Sequence, residues 1–233
     1  MPDVAVELTA RLRALETHYA SWRRQLSAGT RAKQDAVAID DRQCQLFQNF
    51  EASCVPGLLQ TPEYARQMLR VVSDLHHTPA DVEQGVNARM QRQQVLHQAG
   101  EKGRFRFLIW EPVLWTRLGP HATHAVQLDR LATAIGLPSV SIGIVPLSVG
   151  LAVPPLHGFL IYDESVVCVE TIGAELRVTD SSEVANYRDV WHRLQRAAHF
   201  GPQAHRLIGK ARAVLETYPD GVAAPVRLAE PRG

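Results

Sequence analysis

Near residue 104 the apolar period of this chain changes, and that change constrains its fold class more than any other feature. Upstream, Leu8, Leu12, Leu15, Tyr19, Trp22 and Leu26 recur at steps of three and four, which is the spacing of one face of a helix. Downstream, Phe105, Phe107 and Ile109 alternate with Arg104, Arg106 and Leu108, while Val140, Ile142 and Ile144 alternate with Ser141, Gly143 and Val145. Strict alternation is the spacing of strands. A helical amino-terminal half, a set of strands and a helical close together predict an α+β domain with a small antiparallel or mixed sheet.

Local signals place the elements. The first apolar stripe predicts a long opening helix, and a second helical stretch runs from Gln34 to Gln48 until Pro56-Gly57 breaks it. Thr61-Pro62-Glu63 restarts the helical pattern over Tyr64 to Val72, since the Thr hydroxyl caps, Pro fits the first turn and Glu suits the positive helix end. Thr78-Pro79 repeats that signal for a helix to Ala99, closed by Gly100. Leu128, Leu131 and Ile135 mark another helix, ending at Gly136 and Pro138. Phe159–Tyr162, the turn Asp163-Glu164-Ser165, Val166–Glu170 and Glu175–Thr179 read as a small antiparallel meander. Asp180-Ser181-Ser182-Glu183 has capping-box spacing, and Tyr187, Val190, Trp191, Leu194 and Ala198 supply the stripe of a final long helix. One domain over residues 1–218 and a tail over 219–233 are expected.

Several functional classes lose support. The longest apolar runs are broken by Gly, Ser and Pro well short of the ~20 residues of a membrane span, and the amino terminus lacks the features of a secretory signal. A cytoplasmic location is expected. The 25 basic side chains against 24 acidic ones give +1, too little for general attraction to nucleic acid. The charge is uneven, with residues 11–33 basic and residues 163–189 acidic. No Gly-rich phosphate loop, G-x-S-x-G elbow or C-x-x-C pair is present, so Cys44, Cys54 and Cys168 read as small buried apolar residues. His121 and His124 have a metal-compatible spacing but no third ligand nearby. Neither metal nor cofactor is expected.

The most specific string is Phe50-Glu51-Ala52-Ser53-Cys54-Val55-Pro56-Gly57-Leu58-Leu59-Gln60-Thr61-Pro62-Glu63-Tyr64-Ala65. Later come Val86-Asn87-Ala88-Arg89-Met90-Gln91-Arg92-Gln93, Glu111-Pro112-Val113-Leu114, and Ile144-Val145-Pro146 ahead of His157-Gly158-Phe159. In this order the blocks resemble, over roughly residues 20 to 210, the domain of unknown function that follows the helix-turn-helix of Xre-type, antitoxin-like regulators of actinomycetes. In those regulators a DNA-reading helix-turn-helix precedes the block, whereas only about twenty residues precede Trp22 here. No direct DNA binding is expected.

The resemblance implies two functions. Family regulators are typically paired with a small partner protein, which implies a ligand- or partner-binding module. Standalone members resemble the larger subunits that close an aziridine ring by sulfate elimination in azinomycin- and vazabitide-type biosynthesis. The latter implies a hetero-complex with a small partner, and an acidic amino-group carrier protein as a possible bearer of the substrate. Such a reaction requires an acceptor for the amine proton, an in-line arrangement of amine and leaving sulfate, and donors for the growing charge. The family blocks supply Glu51, Glu111 and Glu170 as acids, with Glu111 and Glu170 ranked first because they flank sheet ends. Arg89, Arg92 and His157 are the expected donors for an anionic group, and Gln60, Thr61 and Tyr64 the expected wall. The competing structural reading makes the acids ion-pair partners of Arg89 or Arg92, and Gln60 and Thr61 turn and cap residues. Trp110 and Trp115 read as core.

Overall fold

The computed structural model describes residues 19–78, 81–97 and 104–217. Tyr19–Ser21 (β1) leads into a short helix, Trp22–Gln25 (α1), then Thr30–Gln43 (α2) and Phe47–Glu51 (β2). A 3₁₀ turn at Gly57–Leu59 precedes Pro62–His76 (α3) and Val82–Arg92 (α4), which tightens to 3₁₀ over Gln93–His97. Phe105–Trp110 (β3), a 3₁₀ turn at Glu111–Leu114, His121–Ala134 (α5) and Val140–Val145 (β4) follow. The meander is Phe159–Tyr162 (β5), Val166–Glu170 (β6) and Ala174–Val178 (β7). Ser181–Ala197 (α6), His199–Phe200 (β8) and Pro202–Thr217 (α7) close the described chain.

The fold is α+β, as the change of period predicts, but the sheet is larger than expected. Eight strands lie in the order β1-β7-β6-β5-β2-β3-β4-β8. β2 is parallel to β3 and β3 to β4, while the other neighbours are antiparallel. The predicted helix over Gln34–Gln48 ends instead at Gln43, and its last residues begin the central strand β2. The opening helix is likewise interrupted by β1, whose Ala20 pairs with Glu175; its earlier part lies outside the described residues. The expected tail and the Pro79 and Gly100 signals also lie outside them. The final helix is split by β8, which pairs with β4 through Ile144 and His199.

Alternation along the strands sorts side chains onto two faces. Phe50, Leu108, Ile161, Val167 and Val169 point to one side and pack beneath α6 through Val184, Trp191 and Leu194. Phe47, Phe105, Phe107, Ile109, Ile142 and Ile144 point to the other, where α5 and α7 cover the β3–β4 half through Leu128, Leu131, Ala204 and Ile208. On that second face the remaining half, β2-β5-β6-β7, is roofed by α2, α3 and α4. α2 and α4 approach closely because Gly85 has no side chain; a Cβ there would stand 2.3 Å from the Thr30 hydroxyl.

Candidate functional site

Between this roof and the sheet lies a cavity of about 700 Å³, within the size range of small-molecule sites. Strand alternation puts Phe47, Asn49 and Glu51 of β2 on its floor, together with Cys168 and Glu170 of β6 and Glu175 and Arg177 of β7. From the roof, Lys33, Gln34 and Asp41 of α2 and Arg89 and Arg92 of α4 reach in, each set at helical spacing.

Glu51 ends β2, and there is room for its carboxylate beside residue 158 because that residue is glycine. Its Oε1 accepts from Asn49 Nδ2 at 3.2 Å, and that amide also bonds the Phe159 carbonyl, so the strand holds the acid in place. The Cys54 thiol stands 3.8 Å from Oε2. Burial, aided by repulsion from Glu170 and opposed by the Asn49 bond, raises the Glu51 carboxyl to about 8. Glu170 is an exposed residue, yet desolvation, with repulsion from Glu175, still raises its carboxyl against the attraction of Lys33, Arg89 and Arg92. Two neighbouring acids therefore hold protons more tightly than ordinary glutamates.

Arg89 is the complementary group. Its Nε donates to Gln34 Oε1 at 3.2 Å and its Nη1 to Gln60 Oε1, both neutral acceptors. Among the described residues no carboxylate stands at ion-pair distance from it, although Glu170 lies within electrostatic reach. Desolvation, with repulsion from Arg92, lowers it to about 10. Arg92 is already matched: its Nε lies 2.9 Å from Asp41 Oδ2, and Asp41 also accepts from the Tyr162 hydroxyl at 3.0 Å. Lys33, within electrostatic reach of Glu170, pairs with Glu175 at 2.5 Å and lies over the Trp22 ring.

Of the acids named from the sequence, Glu51 and Glu170 thus meet in one cavity, and Glu111 lies elsewhere. Glu111 is buried beyond the end of β3, where its Oε2 accepts the Leu147 N–H at 2.8 Å and ties down the loop after β4. Arg89 and Arg92 line the cavity, with Gln60 beside them. His157 is exposed and stacks near Phe159 and Tyr187 instead. Thr61 caps α3 through Tyr64 N, and the Tyr64 hydroxyl accepts from Val55 N at 3.3 Å, so both brace the loop behind the cavity wall. Gln60 does both jobs, since its Nε2 also bonds the Val55 carbonyl. His121 and His124 bond the carbonyls of Leu215 and Leu114. Sequence reasoning missed Gln34, Asp41 and Asn49. Asn49 was recoverable from its two-residue offset from Glu51, once β2 is read as a strand.

The structure defines a mixed α+β domain with a polar-ended cavity between helices and sheet. The chain belongs to the DUF5753 family, a domain of unknown function, whose model matches residues 34–210. No curated protein matches it. Among solved structures it is similar to TrmBL2, described as an archaeal chromatin protein that shows a novel mode of DNA binding. Identity there is 11% and the TM-score is 0.37, over 84% of this chain and 64% of that chain. A likeness at that level says nothing about DNA binding here. Among the described residues no helix is long and apolar enough to cross a membrane.

Proposed function

We propose that this chain is the substrate-holding and catalytic subunit of a hetero-complex that closes an amine onto a neighbouring carbon with loss of sulfate. The observation that carries the reading is the meeting of two proton-holding glutamates and an arginine without a carboxylate partner in one cavity. In the resting substrate the amine is an ammonium, and it must lose a proton before it attacks. An ordinary carboxylate lies roughly six pKa units below an alkylammonium, so the transfer is steeply uphill. Glu51, raised to about 8, closes most of that gap, and its ionised form, which grows as pH approaches 8, accepts the proton at lower cost.

The freed nitrogen lone pair then forms the N–C bond while the C–O bond to sulfate breaks. Sulfate departs with the bonding pair beside Arg89, whose Nη2 end has no partner among the described residues. The product is a protonated three-membered amine, one sulfate dianion and a protonated Glu51, which balances atoms and charge. Glu170 holds the ammonium before transfer. A small partner protein completes the complex, and an acidic amino-group carrier is the candidate bearer of the substrate.

The test is mass spectrometry of a 2-sulfooxy amine incubated with the chain co-expressed with its small neighbour. Loss of the mass of sulfuric acid, abolished by E51A, is expected. A folded complex that leaves the compound unchanged overturns the reaction; tight binding without turnover then supports the family's regulatory, ligand-binding reading instead.

A further inference from the structure

The cavity is larger than its polar end needs. At roughly 30 Å³ per water, 700 Å³ takes about twenty waters, whereas an amine and a sulfate on two carbons amount to about eight non-hydrogen atoms. The rest of the lining is mainly apolar, with polar side chains interspersed. Leu26, Val37, Met68 and Val72 carry it from the arginine end towards the mouth, where Leu75 and Ile172 remain 56% and 78% exposed. Large apolar side chains left open to water at the entrance of an apolar cavity are the surface an apolar ligand covers.

We infer that the occupant is an amphiphile, with a compact charged head against Arg89 and Glu51 and an apolar body of about ten carbon atoms or more running along Leu26, Met68 and Val72 to Leu75 and Ile172. Arg89 fixes which end is which. It is held by two glutamine side chains with no carboxylate at ion-pair distance, so an anionic group on the ligand gains a partner there. Water in the apolar portion has few polar atoms to bond, and a hydrocarbon displaces it at no hydrogen-bonding cost. The identity of the head rests on the function proposed above; the apolar body rests on the shape and lining of the cavity alone.

Isothermal titration calorimetry on the full chain with 2-aminodecanoate, alanine, decanoate and decylamine separates the two. A buried methylene contributes about fourfold in affinity, so 2-aminodecanoate is expected to bind one per chain and at least a hundredfold tighter than alanine. V72W fills the apolar portion and removes that binding; M68F serves where V72W does not fold. R89Q weakens 2-aminodecanoate and decanoate at least tenfold and leaves decylamine unchanged. Equal affinity for alanine and 2-aminodecanoate, or undiminished binding by a folded V72W or M68F, overturns the apolar body. Tail-dependent binding that ignores R89Q overturns the placement of the head. Tail-dependent binding in a complex that never releases sulfate upholds the amphiphile and sinks the reaction; the reverse result sinks only the amphiphile.

Discussion

Gly158 stands so close to Glu51 that a Cβ built on it would lie 2.7 Å from Oε2 and 3.1 Å from the Phe50 carbonyl. The first clash is with a carboxylate already held by Asn49, and the second is with sheet backbone, so neither yields freely. Glycine at this position is what lets β5 begin beside the acid. G158A is expected to destabilise the protein by about 1–3 kcal/mol and to push the Glu51 carboxylate off Asn49. Urea unfolding measures the first effect, and a carboxyl-carbon NMR titration shows the second as a Glu51 value moved back towards the ordinary range. An unperturbed titration in G158A would show that the glycine does not set the position of Glu51.

The raised Glu51 carboxyl makes stability depend on pH in a definite direction. Between about 4.5, its ordinary value, and about 8, the folded chain keeps the proton and the unfolded chain loses it. The folded state therefore binds more protons, and stability falls as pH rises through that window, at up to about 1.4 kcal/mol per unit. Below it both states are protonated and Glu51 contributes nothing. E51Q removes the ionisation while keeping a neutral side chain of the same shape. It should match the parent protein near pH 4 and exceed it by a few kcal/mol at pH 8. Urea midpoints at pH 4, 6 and 8 check this, and identical slopes in both proteins would contradict it.

The strands most visible in the sequence are those whose two faces differ in the expected way. β3 and β4 show this, with Phe105, Phe107, Ile109, Val140, Ile142 and Ile144 all turned to the core beneath α5 and α7. β2 is the strand that periodicity missed. Its two phenylalanines, Phe47 and Phe50, are three apart, which resembles a helical stripe, yet they point to opposite faces of the sheet. The polar residues between and after them, Asn49 and Glu51, face the cavity rather than the outside. A functional floor thus disguised a core strand. Arg89 and Arg92 were legible as a pair at helical spacing, but not which of them has an acid partner, because Asp41 comes from a helix fifty-one residues before Arg92. Glu111 sits at a sheet end, as expected, but the 3₁₀ turn that follows β3 carries it away from the cavity to the Leu147 amide.

Asp81 stands at the start of α4, yet its side chain caps a different helix. Its Oδ1 accepts from the Thr30 N–H at 2.8 Å and the Thr30 hydroxyl at 2.7 Å, and its Oδ2 from the Arg31 N–H at 3.0 Å. Burial works to raise this carboxyl, but those bonds outweigh it and lower it below the ordinary value. The bonds thus favour the ionised form, and their contribution is present above the ordinary aspartate value and lost as pH falls through the lowered one. D81A is expected to cost about 1–2 kcal/mol near neutral pH and progressively less in acid. Faster hydrogen exchange at Thr30 and Arg31 locates the loss at the start of α2. Protection there equal to that of the parent protein would refute the cap.

The buried pair of Asp41 and Arg92 supports the roof of the cavity, and its worth depends on which partner is removed. Asp41 is 1% exposed, accepts the Tyr162 hydroxyl and faces Arg92 Nε at 2.9 Å as a counter-charge, without a hydrogen bond between the two. D41A leaves a desolvated cation and an unpaired phenol, and is expected to cost about 3–5 kcal/mol. R92M alone leaves the carboxylate with Tyr162 but without its counter-charge, and should cost a similar amount. Removing both charges at once avoids either orphan, so D41N/R92M should be far more stable than the sum of the two losses implies. Because Gln34 Oε1 accepts from both Arg92 Nη1 and Arg89 Nε, loss of Arg92 also frees Gln34 to serve Arg89 alone. Ligand binding through Arg89 should therefore survive in the double variant while D41A, with its roof disturbed, loses it. Urea unfolding of the four proteins gives the coupling energy, and simple additivity within about 0.5 kcal/mol would mean that the two residues do not act as a pair.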